Sequence, residues 1–242
     1  MKSNRTVTSF FDKEYLEYAR YVVENRAIPS CIDGLKPTQR KVVYIANKIW
    51  KTGNEKPMKL FQLAGRVAAE AFYHHGNTSL ESSMVGMAQK FKNSLPLLEG
   101  VGQFGSLRSP AAGAPRYISA KLHPNFRLLY QDFDLLENKI EEGEKIEPAF
   151  FLPIVPTVIL NGTSGIAVGF ATNILNRNPK DVVDACIATL NNKRMKVLAP
   201  WIHEFKGTFT RDLENPKTWK IKGEYKIINT TTVKITAIPP NY

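Results

Sequence analysis

The chain has 242 residues, enough for one or two domains with cores of their own, and 43% hydrophobic with 10% aromatic residues excludes a disordered tail. Lysine and arginine number 33 against 22 acidic residues, a net charge of +11, which favours a polyanionic partner because each neutralised phosphate releases a condensed counterion. Two cysteines in unrelated settings make no disulfide framework or zinc spacing, the run Ile154–Leu160 is too short for a bilayer and contains Pro156, and MKSNRTVTSF lacks a signal-peptide core, so a soluble, cytoplasmic protein is expected.

In chain order, the first helix is expected over Ser9–Glu24, opened by a Ser9-x-x-Asp12 cap, with Phe11, Tyr15, Tyr18, Ala19 and Val22 on one face. Pro37 starts a second helix with Val42, Ile45, Ala46 and Ile49 inward, leaving Arg40, Lys41 and Lys48 for its other faces. A third runs from about Leu60 to Phe72, burying Leu60, Leu63, Ala64, Val67, Ala68 and Ala71. Thr78 and Glu81 form a capping box for a fourth, which buries Leu80, Met84, Met87 and Phe91. The short turn YHHGN, broken at Gly76, joins these last two into a helix-turn-helix. The glycine- and proline-rich Leu97–Pro115 follows as strands and loops suited to a wing.

From Asn161 the texture changes. NGTSGIAVGFATNI reads as a closely packed strand-loop, and Asn178-Pro179 caps a helix carrying Val182, Val183, Cys186, Ile187 and Leu190. Trp219, Ile221, Tyr225, Ile227, Val233 and Ile235 then alternate with Lys220, Lys222, Lys226 and Lys234, giving strands with an apolar and a lysine-rich face. The fold class is therefore α+β, a winged-helix domain over 1–170 followed by a mixed α/β unit over 171–242.

Several motifs are decoys. Gly100, Gly102 and Gly105 spell the dinucleotide fingerprint, yet SLRSPAAGAP after them cannot open the helix that binding needs. Asp132 and Asp134 make a D-x-D pair without a shared helical face or a third ligand, and His74 and His75 project apart, so no metal site is assigned to this chain. Ser164 fails the nucleophile-elbow pattern. The stretch suited to chemistry is APRYISAKLHP. A phenol with a reference pKa of about 10 needs help as a nucleophile, and the guanidinium of Arg116 beside Tyr117 stabilises charge on a phosphoryl centre.

Longer blocks carry a family resemblance. NRAIPSCIDGLKPTQRKVVY resembles the opening signature of the type IIA topoisomerases, the family of gyrase A, topoisomerase IV and eukaryotic topoisomerase II. QLAGRVAAEAFYHHG, GVGQFGS, APRY and NGTSGIAVGFATNI follow in the family's order, and PWIHEFKGT with VKITAIPP resembles the start of its tower domain. YHHG and GQFGS look eukaryotic and NGTSGIAVGFATNI bacterial, a mixture similar to that of phage members.

The resemblance implies a breakage-reunion subunit in which Tyr117 attacks a DNA phosphate and forms a 5′-phosphotyrosyl link. Two such tyrosines in a homodimer would open a staggered break for duplex passage. Arg116, His75 and Arg26 match residues around the scissile phosphate, and His74 stands where gyrase A has proline. Lys36, Arg40 and Lys41 match a cluster that grips the DNA backbone, Ile166 an isoleucine that wedges between base pairs, and Thr78 and Ser82 the positions of a serine and an acid that contact quinolones. No ATPase signature or Toprim acid cluster is present, so ATP and Mg2+ are assigned to a partner subunit. The closing Ile238-Pro-Pro-Asn-Tyr falls inside the tower, implying a longer chain with the coiled coil and exit gate, and a phage-encoded protein would work in the bacterial host's cytoplasm.

Two rivals fit some of the same residues. A non-catalytic winged-helix DNA-binding module explains the charge and the helix pair. A tyrosine recombinase or type IB topoisomerase would form a 3′-phosphotyrosine, with its tyrosine near the C-terminus.

Overall fold

A computed structural model describes residues 6–52 and 55–239. The first five residues and the closing Pro240-Asn241-Tyr242, on which readings of the two termini rest, lie outside the described residues.

The N-terminal helical run comprises α1 (Val7–Phe10), a π-helical segment (Phe11–Tyr15), α2 (Leu16–Val22) and a second π-helical segment (Val23–Ala27). Its cap is Thr6, whose side chain accepts from the Ser9 amide at 3.1 Å, so the helix starts earlier than the expected Ser9-Asp12 box. The aromatic face is also not buried as expected. Phe11, Tyr15 and Tyr18 are exposed, and only Ala19 and Ala27 are buried.

Helix α3 (Pro37–Ile49) begins at the proline as read, because Pro at the first turn forfeits an amide that has no intrahelical partner. Strand β1 (Met58–Lys59) runs directly into α4 (Leu60–Glu70), and α5 (Asn77–Ala88) completes the helix-turn-helix. The cap of α5 is Gly76, so Thr78 lies inside the first turn rather than forming a box with Glu81. The helix ends at Ala88, which leaves Phe91 half-buried in the following turn. Strands β2 (Leu98–Val101) and β3 (Ser119–Leu122) join β1 in a sheet ordered β1-β3-β2, with Met58 opposite Ala120 and Gly100 opposite Ala120 across the other edge. The loop between β2 and β3 is the wing. This is the expected winged helix, and no helix follows the three glycines of the decoy fingerprint.

Helix α6 (Pro124–Leu129) and a 3-10 turn (Phe133–Leu135) lead to the hairpin of β4 (Asn138–Glu141) and β5 (Glu144–Pro148), an element the sequence reading missed. After α7 (Thr157–Leu160), β6 (Thr163–Ile166) and β7 (Ala171–Ile174) form a tight hairpin. The expected division between residues 170 and 171 falls at this hairpin's tip, where Ile166 pairs with Ala171. Helix α8 (Pro179–Leu190), capped by the Asn178 side chain as read, then places Val182 in the main core. Of its expected apolar face, Val183, Ile187 and Leu190 are exposed. The hairpins of β8 (Thr208–Arg211) with β9 (Trp219–Lys222) and β10 (Glu224–Asn229) with β11 (Thr232–Ala237) close the chain. The expected strands are there, but Tyr225, Ile227, Val233 and Ile235 are exposed instead of packed.

The core sits where α3, α4 and α5 meet the winged sheet. Val42, Ile45, Leu60, Leu63, Val67, Leu80, Met84 and Leu98 are all fully buried in it. A charged hub lies beside it. Asp33 is fully buried and receives both Nε (2.8 Å) and a terminal nitrogen (3.0 Å) of Arg40, which is 4% exposed and also donates to the Leu35 carbonyl. The same carboxylate accepts the amides of Leu35 and Phe151, while the Asp33 carbonyl accepts the Tyr130 and Thr157 hydroxyls. Gly34 turns the chain here at φ +68°, and a Cβ would lie 2.9 Å from the backbone of Val158.

Asp33→Ala leaves a guanidinium buried without its partner and is expected to cost about 3–5 kcal/mol. Urea unfolding measures this, and a loss under roughly 1 kcal/mol, the scale of an exposed pair, would show the hub to be peripheral.

Candidate functional site

Tyr117 lies at the end of the wing, 73% exposed. Its position follows from main-chain bonds. The amides of Tyr117 (2.9 Å) and Ile118 (3.4 Å) both reach the carbonyl of Ala114, making a turn just before β3. The carbonyls on that segment are then taken by the start of α4. The Phe61 amide meets Pro115 O at 3.4 Å, the Lys59 ammonium meets Tyr117 O at 2.9 Å, and the Leu60 amide meets Ile118 O at 3.1 Å. The tyrosine's backbone is therefore held while its ring points to solvent. Arg116 beside it is also exposed. Neither Arg116 nor Lys59 is ion-paired among the described residues.

The wing is tied to α5 by Gln89. This side chain is 2% exposed, and its amide donates to the carbonyls of Phe104 (2.8 Å) and Pro110 (3.0 Å). Its Oε1 is buried with no partner among the described residues, so the amide is retained although one of its polar atoms is unsatisfied.

A groove of about 1140 Å³ brings several expected residues together. Arg26, Lys36, His75, Ser82 and Ile166 all line it. Arg116, Tyr117 and Thr78 do not, although Thr78 is exposed on the first turn of α5. Lys36 is half-buried, and that burial lowers its pKa from the ordinary lysine value. Its main-chain amide is fixed by the Gln39 side chain at 2.9 Å. His75 is exposed, its ring edge-on to Tyr73 at 5.3 Å. Ile166 is 87% exposed at the tip of the β6–β7 hairpin, near Val168 and Phe170, and is not part of its own core. Gly165 lets that hairpin approach the N-terminal run, since a Cβ there would sit 2.1 Å from the Ala27 carbonyl oxygen. Arg26 and Ile166 are neighbours for this reason.

Two expected phosphate contacts are corrected. Arg40 is turned into the core by Asp33, as described above. Lys41 bonds the carbonyl of Ala71 and the buried carboxylate of Glu147 at 3.2 Å, with Glu141 at 3.7 Å. Burial raises the Glu147 pKa and the Lys41 charge opposes that rise. Glu141 also meets His74 Nε2 at 3.0 Å, so His74 ties the turn between α4 and α5 to the β4–β5 hairpin. Asp132 and Asp134 are exposed around the 3-10 turn, and no group of three or more His, Cys, Asp or Glu side chains able to hold a metal occurs among the described residues.

A sequence profile of DNA gyrase/topoisomerase IV, describing the gyrase A type of chain, matches residues 26–242. The chain belongs to that family. It is 41% identical to the DNA topoisomerase medium subunit of Enterobacteria phage T4, over 99% of this chain and 53% of that protein. It is 40% identical to DNA topoisomerase 2 of Arabidopsis thaliana, over 97% of this chain and 16% of that one. The fold is similar to the crystal structure of the Plasmodium falciparum topoisomerase II DNA-binding, cleavage and re-ligation domain, with a TM-score of 0.85 and 35% identity over 96% of this chain and 32% of that one. The chain thus spans about half the length of the phage relative and far less of the eukaryotic ones.

In this gyrase and topoisomerase family member, sequence reasoning overlooked Asp33, Lys59 and Gln89. Asp33 and Gln89 had no detectable signal, because a buried polar side chain looks like any surface one until its partners are known. Lys59 stood just before a predicted helix, and only the pairing of Lys59 with Ser119 puts it beside the tyrosine. Gln89→Leu should remove both wing contacts and destabilise by about 1–3 kcal/mol, leaving two carbonyls unpaired. Limited proteolysis should then cut faster between Gly105 and Gly113, and an unchanged cutting rate would show the clamp to be idle.

Proposed function

We propose that this chain is the DNA breakage-reunion part of an ATP-dependent type IIA topoisomerase, acting as a homodimer on duplex DNA. The observation that carries this reading is a tyrosine whose main chain is held at three successive points while its phenol stands in solvent beside an unpaired arginine. Tyr117 Oη attacks a backbone phosphorus, the bond to the 3′-oxygen breaks, and the 5′ phosphate stays on the tyrosine. The reverse attack by the 3′-hydroxyl reseals the strand. Arg116 stabilises the charge that builds on the phosphoryl oxygens. His75 and Arg26 reach the same backbone from the groove, together with Lys36. Ile166, standing free at a hairpin tip, enters a base step and bends the duplex.

Thr78 faces the DNA from the first turn of α5. Arg40 and Lys41 act from inside, holding α3 and the turn before α5 so that Lys36 and His75 are placed correctly. The tower begins after Pro200 in this reading, since the main core cluster ends with Val182 and the residues packed on it end with Leu198.

Magnesium compensates charge at the transferring phosphate when bound, but the described residues do not offer its usual set of carboxylates. Mg2+ is therefore placed on the Toprim domain of a partner subunit, and ATP on the partner's ATPase domain. The site of action is the cytoplasm, that of the bacterial host for a phage protein. No described helix is long and apolar enough to cross a membrane. A purely DNA-binding winged helix is disfavoured by the tethering of an exposed Arg-Tyr pair, which binding alone does not need.

Tyr117→Phe should abolish covalent DNA-protein complex while leaving duplex affinity within about twofold, because affinity rests on many phosphate contacts. A gel of detergent-trapped complexes reads this, and complex persisting in the variant rejects Tyr117 as nucleophile. The chain alone should bind duplex yet form no covalent complex until Toprim partner and magnesium are both added. Complex accumulating without the partner would overturn the divided site and return attention to Asp132 and Asp134.

A further inference from the structure

Lys59 lies on the two-residue strand β1, immediately before α4. Its Cα is fixed on both sides. Met58 pairs with Ala120 in the sheet, and Leu60, fully buried, starts the helix. The side chain is exposed but directed, for its ammonium donates to the main-chain oxygen of Tyr117 at 2.9 Å, 58 residues away in sequence. The other two bonds to this segment come from the main-chain amides of Leu60 and Phe61, which every residue type except proline supplies. The central one alone depends on a side chain, and it falls on the tyrosine itself.

We propose that Lys59 is a positioning residue for Tyr117, holding the tyrosine's main chain so that the phenol stays aligned with the scissile phosphate. The inference rests on the reading of Tyr117 as the nucleophile. Two observations favour this over a general phosphate contact. The ammonium is directed at a carbonyl of its own chain rather than left free, and no carboxylate competes for it among the described residues. Small losses of alignment are costly at a reacting centre, where a misplacement of about 1 Å slows reaction by as much as roughly 10²-fold. Loss of this one bond should therefore appear in the rate of strand cleavage before it appears in DNA affinity.

The test uses the full chain with its Toprim partner, magnesium and a nicked duplex whose cleavage is irreversible. Lys59→Met keeps the apolar stem and removes the donor, whereas Lys59→Arg keeps a donor and the charge. At saturating DNA, Lys59→Met should slow covalent complex formation by roughly 10-fold or more. Its Kd for duplex should stay within about threefold, as for one exposed charge among many phosphate contacts. Lys59→Arg should restore most of the rate, and thermal unfolding should be unchanged in both. A wild-type rate in Lys59→Met overturns the proposal. So does a loss of affinity with full recovery of rate at saturating DNA, which would mark a simple phosphate contact. Equal loss in the Met and Arg variants with lowered melting temperatures would mark a merely structural strand residue and overturns it too. Tyr117→Phe is run beside them. Covalent complex surviving there defeats the nucleophile reading itself, whereas its absence there with a wild-type rate in Lys59→Met defeats only the role of Lys59.

Discussion

The fully buried pair of Asp33 and Arg40 is the constraint on which the DNA-facing surface depends. An ion pair out of water is stable only when its remaining donors and acceptors are met, and here they are. The carboxylate takes two guanidinium nitrogens and two main-chain amides, and the guanidinium takes a further carbonyl. Arginine suits this position because its planar fork meets a carboxylate with two bonds in fixed geometry, which a lysine ammonium cannot do. The partners come from distant parts of the chain: the loop before α3, the end of α6, the segment near Phe151 and the start of α7. Binding them to one carboxylate sets where Arg26, Lys36 and the β6–β7 hairpin stand relative to the winged helix.

The wing shows a related economy of means. A nucleophile on a long loop would sample many positions, and ordering it costs entropy at the moment of reaction. This loop is held at its base by Gln89 and at its end by the start of α4, so little of that freedom remains around Tyr117. The helix-turn-helix thereby does two jobs. Its second helix presents Thr78 and Ser82 at the surface, while the first turn of its first helix anchors the backbone of Arg116 and Tyr117.

Net charge alone does not say which cations meet DNA. Arg40 and Lys41, adjacent in a basic stretch of the sequence, are both neutralised by buried carboxylates and hold the scaffold. Arg26, Lys36 and Arg116 carry their charge to the surface or the groove. Lys36 does so from a half-buried position that disfavours its charged form, which makes an anionic ligand in the groove more favourable to it than to a fully hydrated lysine.

The sequence by itself determined the α+β winged helix, since apolar residues recur at helical spacing in α3, α4 and α5, Pro37 and Asn178 mark helix starts, and the Arg116-Tyr117 pair stands in a stretch that cannot be helix. Its ordered blocks also carried the family. It misjudged helix caps, because Ser9 and Thr78 are as able to cap as Thr6 and Gly76, and the choice lay with neighbouring backbone rather than residue type. It missed the β4–β5 hairpin, whose short strands are rich in charge and lack clean alternation. What only the tertiary structure decided was the fate of each polar side chain. Arg40 and Lys36 are alike in a string of letters, yet one faces a carboxylate 0% exposed and the other a groove. That difference is set by partners far away in the chain, and long-range pairing leaves no local mark that periodicity or spacing can reveal.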